Sequence, residues 1–278
     1  MTTPPLGLLL DVDGPLASTV TRSLRVPSIA DDLVAIARAG CPVVFNTGRS
    51  DAFLAEQVVP VLVAAGLPSD APVWGIGEKG ATWFPVVDGA IGEVQEDDAL
   101  RVPERLVRAC RRIADRHRDL MFWDETKRTM VSLEQNVEAD NATYLDRQPA
   151  VTAELDAAIS DLALGDEFHT VPSIISVDLE HRDAGKAIGA SRAVRLVGER
   201  MGVPRRWFTA GDSTGDYDMA AWLHDAGYDA THLDVRPDGD QPNTPYAVLR
   251  EIPTFAEGHA EDDITAAYLA QWRAEVAV

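Results

Sequence analysis

The 278-residue chain contains few cysteines and no long apolar run. Its two cysteines, Cys41 and Cys110, are too few for a disulfide framework and do not stand at the spacing of a metal site, which favours a reducing compartment. The longest nearly apolar run, from Val58 to Gly66, is far shorter than a membrane-spanning helix requires. The amino-terminal segment lacks the basic stretch of a signal peptide. The sequence therefore predicts a globular, cytoplasmic protein.

Positive charge is also scarce, because 25 basic residues stand against 45 acidic ones and the net charge is -20. Nucleic acids and anionic lipid surfaces bind through Lys and Arg, so the sequence predicts neither as a partner. The same charge opposes a phosphorylated ligand unless local cations or a bound metal offset it. Only Lys79, Lys127 and Lys186 are lysines, which favours special positions for their compact ammonium groups. The composition carries no sign of an oligomeric state.

Strands and helices alternate at both ends of the chain. After an apolar run that begins at Gly7, spacing predicts helices over 28–39 and 51–65 and strands over 41–45 and 73–76. From 185 onward it predicts a helix to 201, a strand over 207–210 and a last helix over 262–276. Strand-helix alternation of this kind favours a parallel sheet with helices on its faces. The fold class is therefore α/β, with a Rossmann-like core.

The middle of the chain has a different pattern of polar and apolar residues. It alternates polar and apolar residues in four short strands, predicted over 121–123, 129–133, 167–171 and 174–179, with long charged helices over 97–118 and 141–162. This pattern predicts an α+β domain built on an antiparallel sheet. We expect a core formed by 1–81 and 186–278 and an inserted domain formed by 82–185.

Four polar motifs stand where core strands end or core helices begin. They are Asp11-Val12-Asp13-Gly14, Thr47-Gly48-Arg49, Lys186, and Gly211-Asp212-Ser213-Thr214-Gly215-Asp216. Each alone is also typical of a turn, a helix cap or a solvated helix residue. Because ligands bind at the carboxyl ends of parallel strands, the joint order of the four motifs indicates one site.

Together these motifs resemble those of the haloacid dehalogenase superfamily of phosphohydrolases, in the branch with a large α+β cap between the second and third motifs. The resemblance covers the whole chain. It implies a phosphomonoester hydrolase that uses Mg²⁺, acts on a small phosphorylated metabolite and passes through an aspartyl-phosphate.

The resemblance also implies a role for each motif residue. Asp11 would be the nucleophile, Asp13 the general acid and later the base for water, and Lys186 would hold phosphate and nucleophile together. The second motif would bind the phosphoryl oxygens through Thr47, Gly48 and Arg49. The metal ligands would be Asp11, Asp13, Asp212 and Asp216. An ionised carboxylate must approach a phosphate dianion, so the metal and the ammonium group offset their repulsion.

Two positions depart from the family pattern. Pro15 stands where the family usually has Thr, so a backbone donor and a hydroxyl are missing there. Gly77-Glu78-Lys79-Gly80 resembles a Glu-Asn-Gly turn of relatives, with Lys79 in place of Asn.

Features of the substrate site resemble those of trehalose-phosphate and sucrose-phosphate phosphatases. Asp218 precedes Met219 after the fourth motif, and Glu125-Thr126-Lys127 is similar to a Glu-x-Lys that contacts sugar hydroxyls. Glu125 and Lys127 are therefore candidate substrate ligands at a strand edge, although such residues are also typical of a solvated surface. A sugar or glycosyl phosphate is the predicted substrate class.

Other functions remain open at this point. A phosphosugar mutase would share the nucleophile but bind a bisphosphate with a basic cluster, for which Lys127-Arg128 and Arg111-Arg112 are candidates. The substrate of a phosphatase could also be a nucleotide, pyridoxal phosphate or a polyol phosphate. A non-catalytic binding protein would tolerate loss of Asp11 or Asp13, and both are present.

Overall fold

A computed structural model describes residues 3–18, 21 and 23–276 of the chain. The chain forms two compact units, one made of Met1–Gln95 with Gly185–Val278 and the other of Glu96–Ala184. We call them the core unit and the inserted unit. Of the helices in the described ranges, none combines the length and the apolarity needed to span a membrane.

The first part of the core unit alternates strands and helices, as predicted. Its elements are β1 (Gly7–Leu10), α1 (Pro27–Arg38), β2 (Val43–Asn46), α2 (Asp51–Phe53), α3 (Val59–Ala64), β3 (Val73–Gly77), β4 (Thr82–Val87) and β5 (Ala90–Ile91). A π-helical turn over Leu54–Val58 joins α2 to α3, so the predicted helix over 51–65 is essentially continuous.

The inserted unit is an antiparallel sheet with two long helices. Its elements are α4 (Glu104–Arg116), β7 (Met121–Trp123), β8 (Val131–Gln135), α5 (Asn141–Asp161), β9 (Phe168–Pro172) and β10 (Ser176–His181). The short strand β6 (Gln95–Glu96), which begins at the last residue of the core unit, pairs with β4 of the core sheet. The sheet order is β7-β8-β10-β9, which confirms the predicted α+β architecture. Helix α4 begins later than the predicted residue 97 because Pro103 stands at its N-cap and 97–100 form a turn.

The chain then returns to the core unit. The elements there are α6 (Lys186–Arg200), β11 (Arg206–Gly211), α7 (Tyr217–Asp225), β12 (Asp229–Asp234), β13 (Ala247–Arg250) and α8 (Glu261–Val276). Along its main path the core sheet has the order β13-β12-β11-β1-β2-β3-β4-β5, and β6 pairs with β4 beside this path. The pairs along the path are parallel except β3–β4 and β4–β5. This confirms the α/β class. β1 lies between β2 and β11, so the chain order reverses there and a crevice is expected at its carboxyl end.

Both faces of the core sheet are covered. Leu8 and Leu10 of β1 belong to an apolar cluster with residues of α1 and α8, whereas Leu9 belongs to a second cluster with residues of α6 and α7. Alternate residues of a strand point to opposite faces, so a strand covered on both sides must be apolar throughout. This explains the unbroken run Gly-Leu-Leu-Leu in β1.

The boundary of the inserted unit differs from the prediction. The sequence predicts an insert that begins at residue 82, but the compact unit begins at Glu96. β4 pairs with β3 and β5 pairs with β4, so this segment extends the core sheet. The segment Thr-Trp-Phe-Pro-Val-Val of β4 has no clear polar alternation, and nothing in its sequence says which sheet it joins.

Candidate active site

The carboxylate of Asp11 lies directly after β1, at the point where the strand order reverses. Its backbone N–H donates to the carbonyl of Ala210 at 3.0 Å, which continues the pairing of β1 with β11. Its Oδ1 accepts the N–H of Val12 at 2.7 Å. The side chain is buried. Backbone contacts with Ala210 of β11 and with the neighbouring Val12 therefore hold Asp11 in place.

Lys186, the first residue of α6, joins two of the predicted site carboxylates. Its Nζ lies 2.8 Å from Asp11 Oδ2 and 2.6 Å from Asp216 Oδ1, and it donates to the carbonyl of Asn46 at 2.8 Å. The Asn46 side chain in turn donates to the Lys186 carbonyl at 3.0 Å. These reciprocal bonds join the start of α6 to the end of β2 and fix the ammonium group beside Asp11.

The fourth motif forms a tight loop between β11 and α7. Ser213 donates from its N–H and its hydroxyl to Asp216 Oδ2, at 3.0 and 2.7 Å, which fixes the Asp216 carboxylate. The Asp212 carboxylate packs so closely on Gly14 that a Cβ there would lie 2.2 Å from its oxygen. Gly14 also has a φ of +84°, so this position requires glycine for two reasons.

The electrostatics of this group are dominated by burial. Burial raises the pKa of Asp11 well above its ordinary value, against the effect of Lys186, and Asp216 and Asp212 raise it further. Burial, followed by the charge of Asp216, raises the pKa of Asp212 to about 7. Burial alone would raise the pKa of Asp216, but Lys186 lowers it below its ordinary value. The pKa of Lys186 is raised: burial would lower it, and the carboxylates of Asp11 and Asp216 outweigh that effect.

These residues fit a divalent cation. Asp11, Asp212 and Asp216 each offer one carboxylate oxygen, and the three oxygens lie within 4.8 Å of one another. When all three carboxylates are ionised beside the one ammonium group, two negative charges are uncompensated, and a dication would neutralise them. Carboxylate oxygens are also the ligands that Mg²⁺ prefers.

Asp13 is placed differently from the other predicted metal ligands. Its carboxylate is held by the guanidinium of Arg49, with Nε at 2.9 Å from Oδ2 and Nη2 at 3.0 Å from Oδ1. It does not belong to the carboxylate group formed by Asp11, Asp212 and Asp216. The structure therefore does not place the Asp13 side chain with the other predicted metal ligands.

The second motif follows β2, as predicted. Thr47 is buried; its hydroxyl accepts the N–H of Arg49 at 3.1 Å, and its carbonyl accepts the N–H of Lys79 at 3.0 Å. The stem of Lys79 passes beside Gly48, with carbons 3.7 Å from where a Cβ would stand. Lys79 and its neighbour Glu78 both have positive φ. The turn with the unusual lysine thus lies against the predicted phosphate-binding motif.

Pro15 leaves the turn behind Asp13 intact. The N–H of Gly14 donates to the carbonyl of Ala17 at 2.9 Å, and the N–H of Ala17 donates to the carbonyl of Val12 at 2.7 Å. The hydrogen bonds that close this turn come from residues on either side of Pro15. A missing amide hydrogen at Pro15 therefore costs none of these bonds.

Glu125 and Lys127 lie in a turn of the inserted unit after β7, not on a strand edge as predicted. The Glu125 carboxylate accepts two hydrogen bonds from Arg111, one of them at 2.5 Å from Nη2. The same guanidinium stacks on the ring of Trp123, 4.0 Å from its centroid. Glu125 is therefore an exposed member of an ordered ion pair. Lys127, two residues further along the chain, is half-buried.

Sequence reasoning missed the groups that support the fourth motif. Asp234, at the end of β12, is fully buried and pairs with Arg236 and Arg250. Although burial alone would raise it, hydrogen bonds from Arg236 and Tyr217 lower the pKa of Asp234 to about 2. The sequence offers little sign of this group, because β12 (Asp-Ala-Thr-His-Leu-Asp) is polar at several positions.

Comparison with known proteins identifies a shared fold. Neither a scan against protein-family models nor a search of curated proteins found a match. Among solved structures, the C-terminal domain of trehalose-6-phosphate phosphatase from C. albicans superposes with a TM-score of 0.66 at 14% identity, over 97% of this chain and 93% of that one. A haloacid dehalogenase-like hydrolase from Bacteroides thetaiotaomicron gives 0.63 at 14% identity, over 96% and 98%.

A third similar structure extends the comparison to a nucleotidase. An IMP-bound mutant of the IMP-nucleotidase from Plasmodium falciparum superposes with a TM-score of 0.55 at 10% identity. The match covers 99% of this chain and 68% of that one. At such low identity, what these structures share with the chain is the fold.

Proposed function

We propose that this chain, which has the fold of the haloacid dehalogenase superfamily, is a Mg²⁺-dependent phosphomonoester hydrolase. The observation that carries the proposal is the buried group at the end of β1, where Lys186 contacts both Asp11 and Asp216. A structural ion pair would need one carboxylate for one ammonium group. The excess of carboxylates at a strand-order reversal is instead suited to a metal and a phosphate.

Asp11, Asp212 and Asp216 would hold the metal. Bound there, Mg²⁺ would neutralise carboxylate charge and allow a phosphate dianion to approach Asp11. Lys186 would contact a phosphoryl oxygen while keeping its contact with Asp11. The segment Thr47-Gly48-Arg49 would bind the other phosphoryl oxygens, because it directly follows the neighbouring strand β2.

The reaction would proceed in two displacements. A carboxylate oxygen of Asp11 attacks phosphorus, the bond to the leaving oxygen breaks, and Asp13 gives that oxygen its proton. Water then attacks the same phosphorus, Asp13 takes a proton from it, and the bond to Asp11 breaks to release inorganic phosphate. The guanidinium of Arg49 holds the Asp13 carboxylate in one orientation, which suits the step in which Asp13 accepts a proton from water.

A sugar or glycosyl phosphate is the substrate class that we favour. The resemblance of the fourth motif to trehalose-phosphate phosphatases supports it, and so do structural neighbours that are trehalose-6-phosphate phosphatases. By its resemblance to the Glu-x-Lys of those enzymes, Glu125-Thr126-Lys127 makes Lys127 a candidate sugar ligand. A nucleoside monophosphate is the second candidate, because IMP-nucleotidase shares the fold. The scarcity of cysteine supports a cytoplasmic setting for either reaction.

Phosphate release with and without Mg²⁺ tests the proposal. We expect wild type to release phosphate from members of a panel of sugar phosphates and nucleotides, and Asp11→Asn to release none while keeping the wild-type circular dichroism spectrum. Isomerisation of the substrate without phosphate release would favour a mutase. Failure of wild type on every phosphoester would refute the enzyme proposal.

A further inference from the structure

A buried ion-pair network lies directly under the fourth motif. Asp234 accepts hydrogen bonds from Arg236, with Nε at 2.9 Å from Oδ1 and Nη2 at 2.9 Å from Oδ2. Arg250 donates to Asp234 Oδ2 at 2.8 Å, and so does the Tyr217 hydroxyl at 2.6 Å. Asp234, Arg236 and Tyr217 are all buried. A carboxylate with this many donors is fixed in one position.

The network contacts the fourth motif on both sides of Asp216. Arg236 Nη1 donates to the Thr214 hydroxyl at 3.1 Å, so one end of the guanidinium holds the residue two positions before Asp216. Tyr217, the residue after Asp216, is held by Asp234 through its hydroxyl. The Tyr217 carbonyl also accepts the hydroxyl of Tyr246 at 3.0 Å. The backbone that carries Asp216 is therefore anchored on both flanks.

We propose that Arg236 is a positioning residue for the metal-binding carboxylates, an inference that rests on the proposed function. Its planar guanidinium bridges Asp234 and Thr214, which no single-point cation can do in the same geometry. It thereby fixes the turn over Thr214–Asp216 relative to β12. Groups that orient metal ligands without touching the metal typically contribute about 10–100-fold to metal affinity.

The surrounding charges make this role testable without unfolding the protein. When Arg236 is replaced, Asp234 keeps the guanidinium of Arg250 and the hydroxyl of Tyr217. The backbone N–H of residue 236 also still donates to Asp234 Oδ1. The carboxylate is thus not left unpaired, whereas the link to Thr214 is lost.

Arg273→Met is the matched control. Arg273 of α8 donates to the buried carboxylate of Asp32 in α1 at 2.8 Å, so this variant also removes a guanidinium from a buried Asp. Neither residue belongs to the fourth motif or its supporting network. A general loss of stability should therefore appear in Arg273→Met without any change at the metal site.

Two measurements on the full chain test the proposal. The first is calorimetric titration with Mg²⁺ alone, where we expect Arg236→Met and Arg236→Lys to bind at least about tenfold more weakly than wild type and Arg273→Met to bind like wild type. The second is hydrogen exchange without metal. We expect faster exchange over 211–217 in both Arg236 variants, with β1 and the inserted unit unchanged.

The outcomes separate the two proposals. Wild-type affinity and wild-type exchange in Arg236→Met would overturn the positioning role. Restoration of both properties by Arg236→Lys would also overturn it, because charge alone would then suffice. Absence of saturable Mg²⁺ binding by wild type would refute the proposed metal site, and the exchange of 211–217 would still decide whether Arg236 holds the loop.

Discussion

Two groups of charged residues, one in the core unit and one in the inserted unit, differ sharply in burial. In the core unit, the side chains of Asp216 and Asp234 are fully buried and that of Lys186 is 12% exposed. In the inserted unit, the pair of Arg111 and Glu125 is exposed to 45% and 68%. Buried charges lose their hydration and persist where partners or function compensate, whereas exposed pairs contribute little to stability. The buried group around Lys186 is therefore the one for which a functional compensation is expected.

Among the variants that test this difference in burial, Lys186→Met is expected to have the largest effect on activity and stability. Removing the ammonium group leaves Asp11 and Asp216 buried without their shared cation. We expect kcat to fall by about 10³-fold and the free energy of unfolding to fall by about 3 kcal/mol. Steady-state kinetics and urea unfolding measure the two quantities. Lys79→Met is the control for loss of a lysine, and equal stability losses in both variants would argue against the buried group.

A smaller effect is expected from pH through His232. This buried ring contacts the Thr209 hydroxyl at 2.7 Å, and burial lowers the pKa of His232 from 6.5 to about 4. Below pH 6.5 the unfolded chain binds a proton that the folded chain excludes until about pH 4, so stability falls as pH falls through this window.

The variant His232→Gln tests whether stability falls with pH for this reason. Between pH 7 and pH 5, wild type should lose on the order of 2 kcal/mol more stability than the variant, because contributions of all other groups cancel in the difference. Urea unfolding at the two pH values gives the comparison. Equal losses of stability in wild type and variant would mean that protonation of His232 makes no contribution between pH 7 and pH 5.

Lys127→Ala tests whether the inserted unit sets substrate affinity. We expect KM for the best sugar phosphate to rise several-fold with kcat nearly unchanged, since the residue would bind the sugar and take no part in bond breaking. Arg128→Ala is the neighbouring control. A loss in kcat of equal size for small and large substrates would contradict the assignment of Lys127 to substrate binding.

The smallest effect is expected from Arg111→Ala. This change breaks the exposed pair with Glu125, and the free energy of unfolding should change by less than about 1 kcal/mol. Thermal and urea unfolding measure it. A loss as large as that of Lys186→Met would remove the contrast between buried and exposed charge on which this account depends.

The core elements and the order of the site motifs could be predicted from sequence, because buried parallel strands are apolar throughout and polar residues mark their ends. The inserted unit's start at Glu96 could not, since Thr82–Val87 carries no sign of its pairing partner. The contact of Asp13 with Arg49 and of Arg236 with Thr214 depends on side chains brought together by tertiary structure. Local patterns do not specify such contacts.

Trapping of a phosphorylated Asp11 tests the central claim most directly. Enzyme quenched in acid during turnover with Mg²⁺ and its best substrate should carry one phosphoryl group, located by mass spectrometry on Asp11. The same treatment of Asp11→Asn should give no labelled protein. A phosphoryl group on another residue, or full activity with no labelled enzyme at any time, would contradict the assignment of Asp11 as nucleophile.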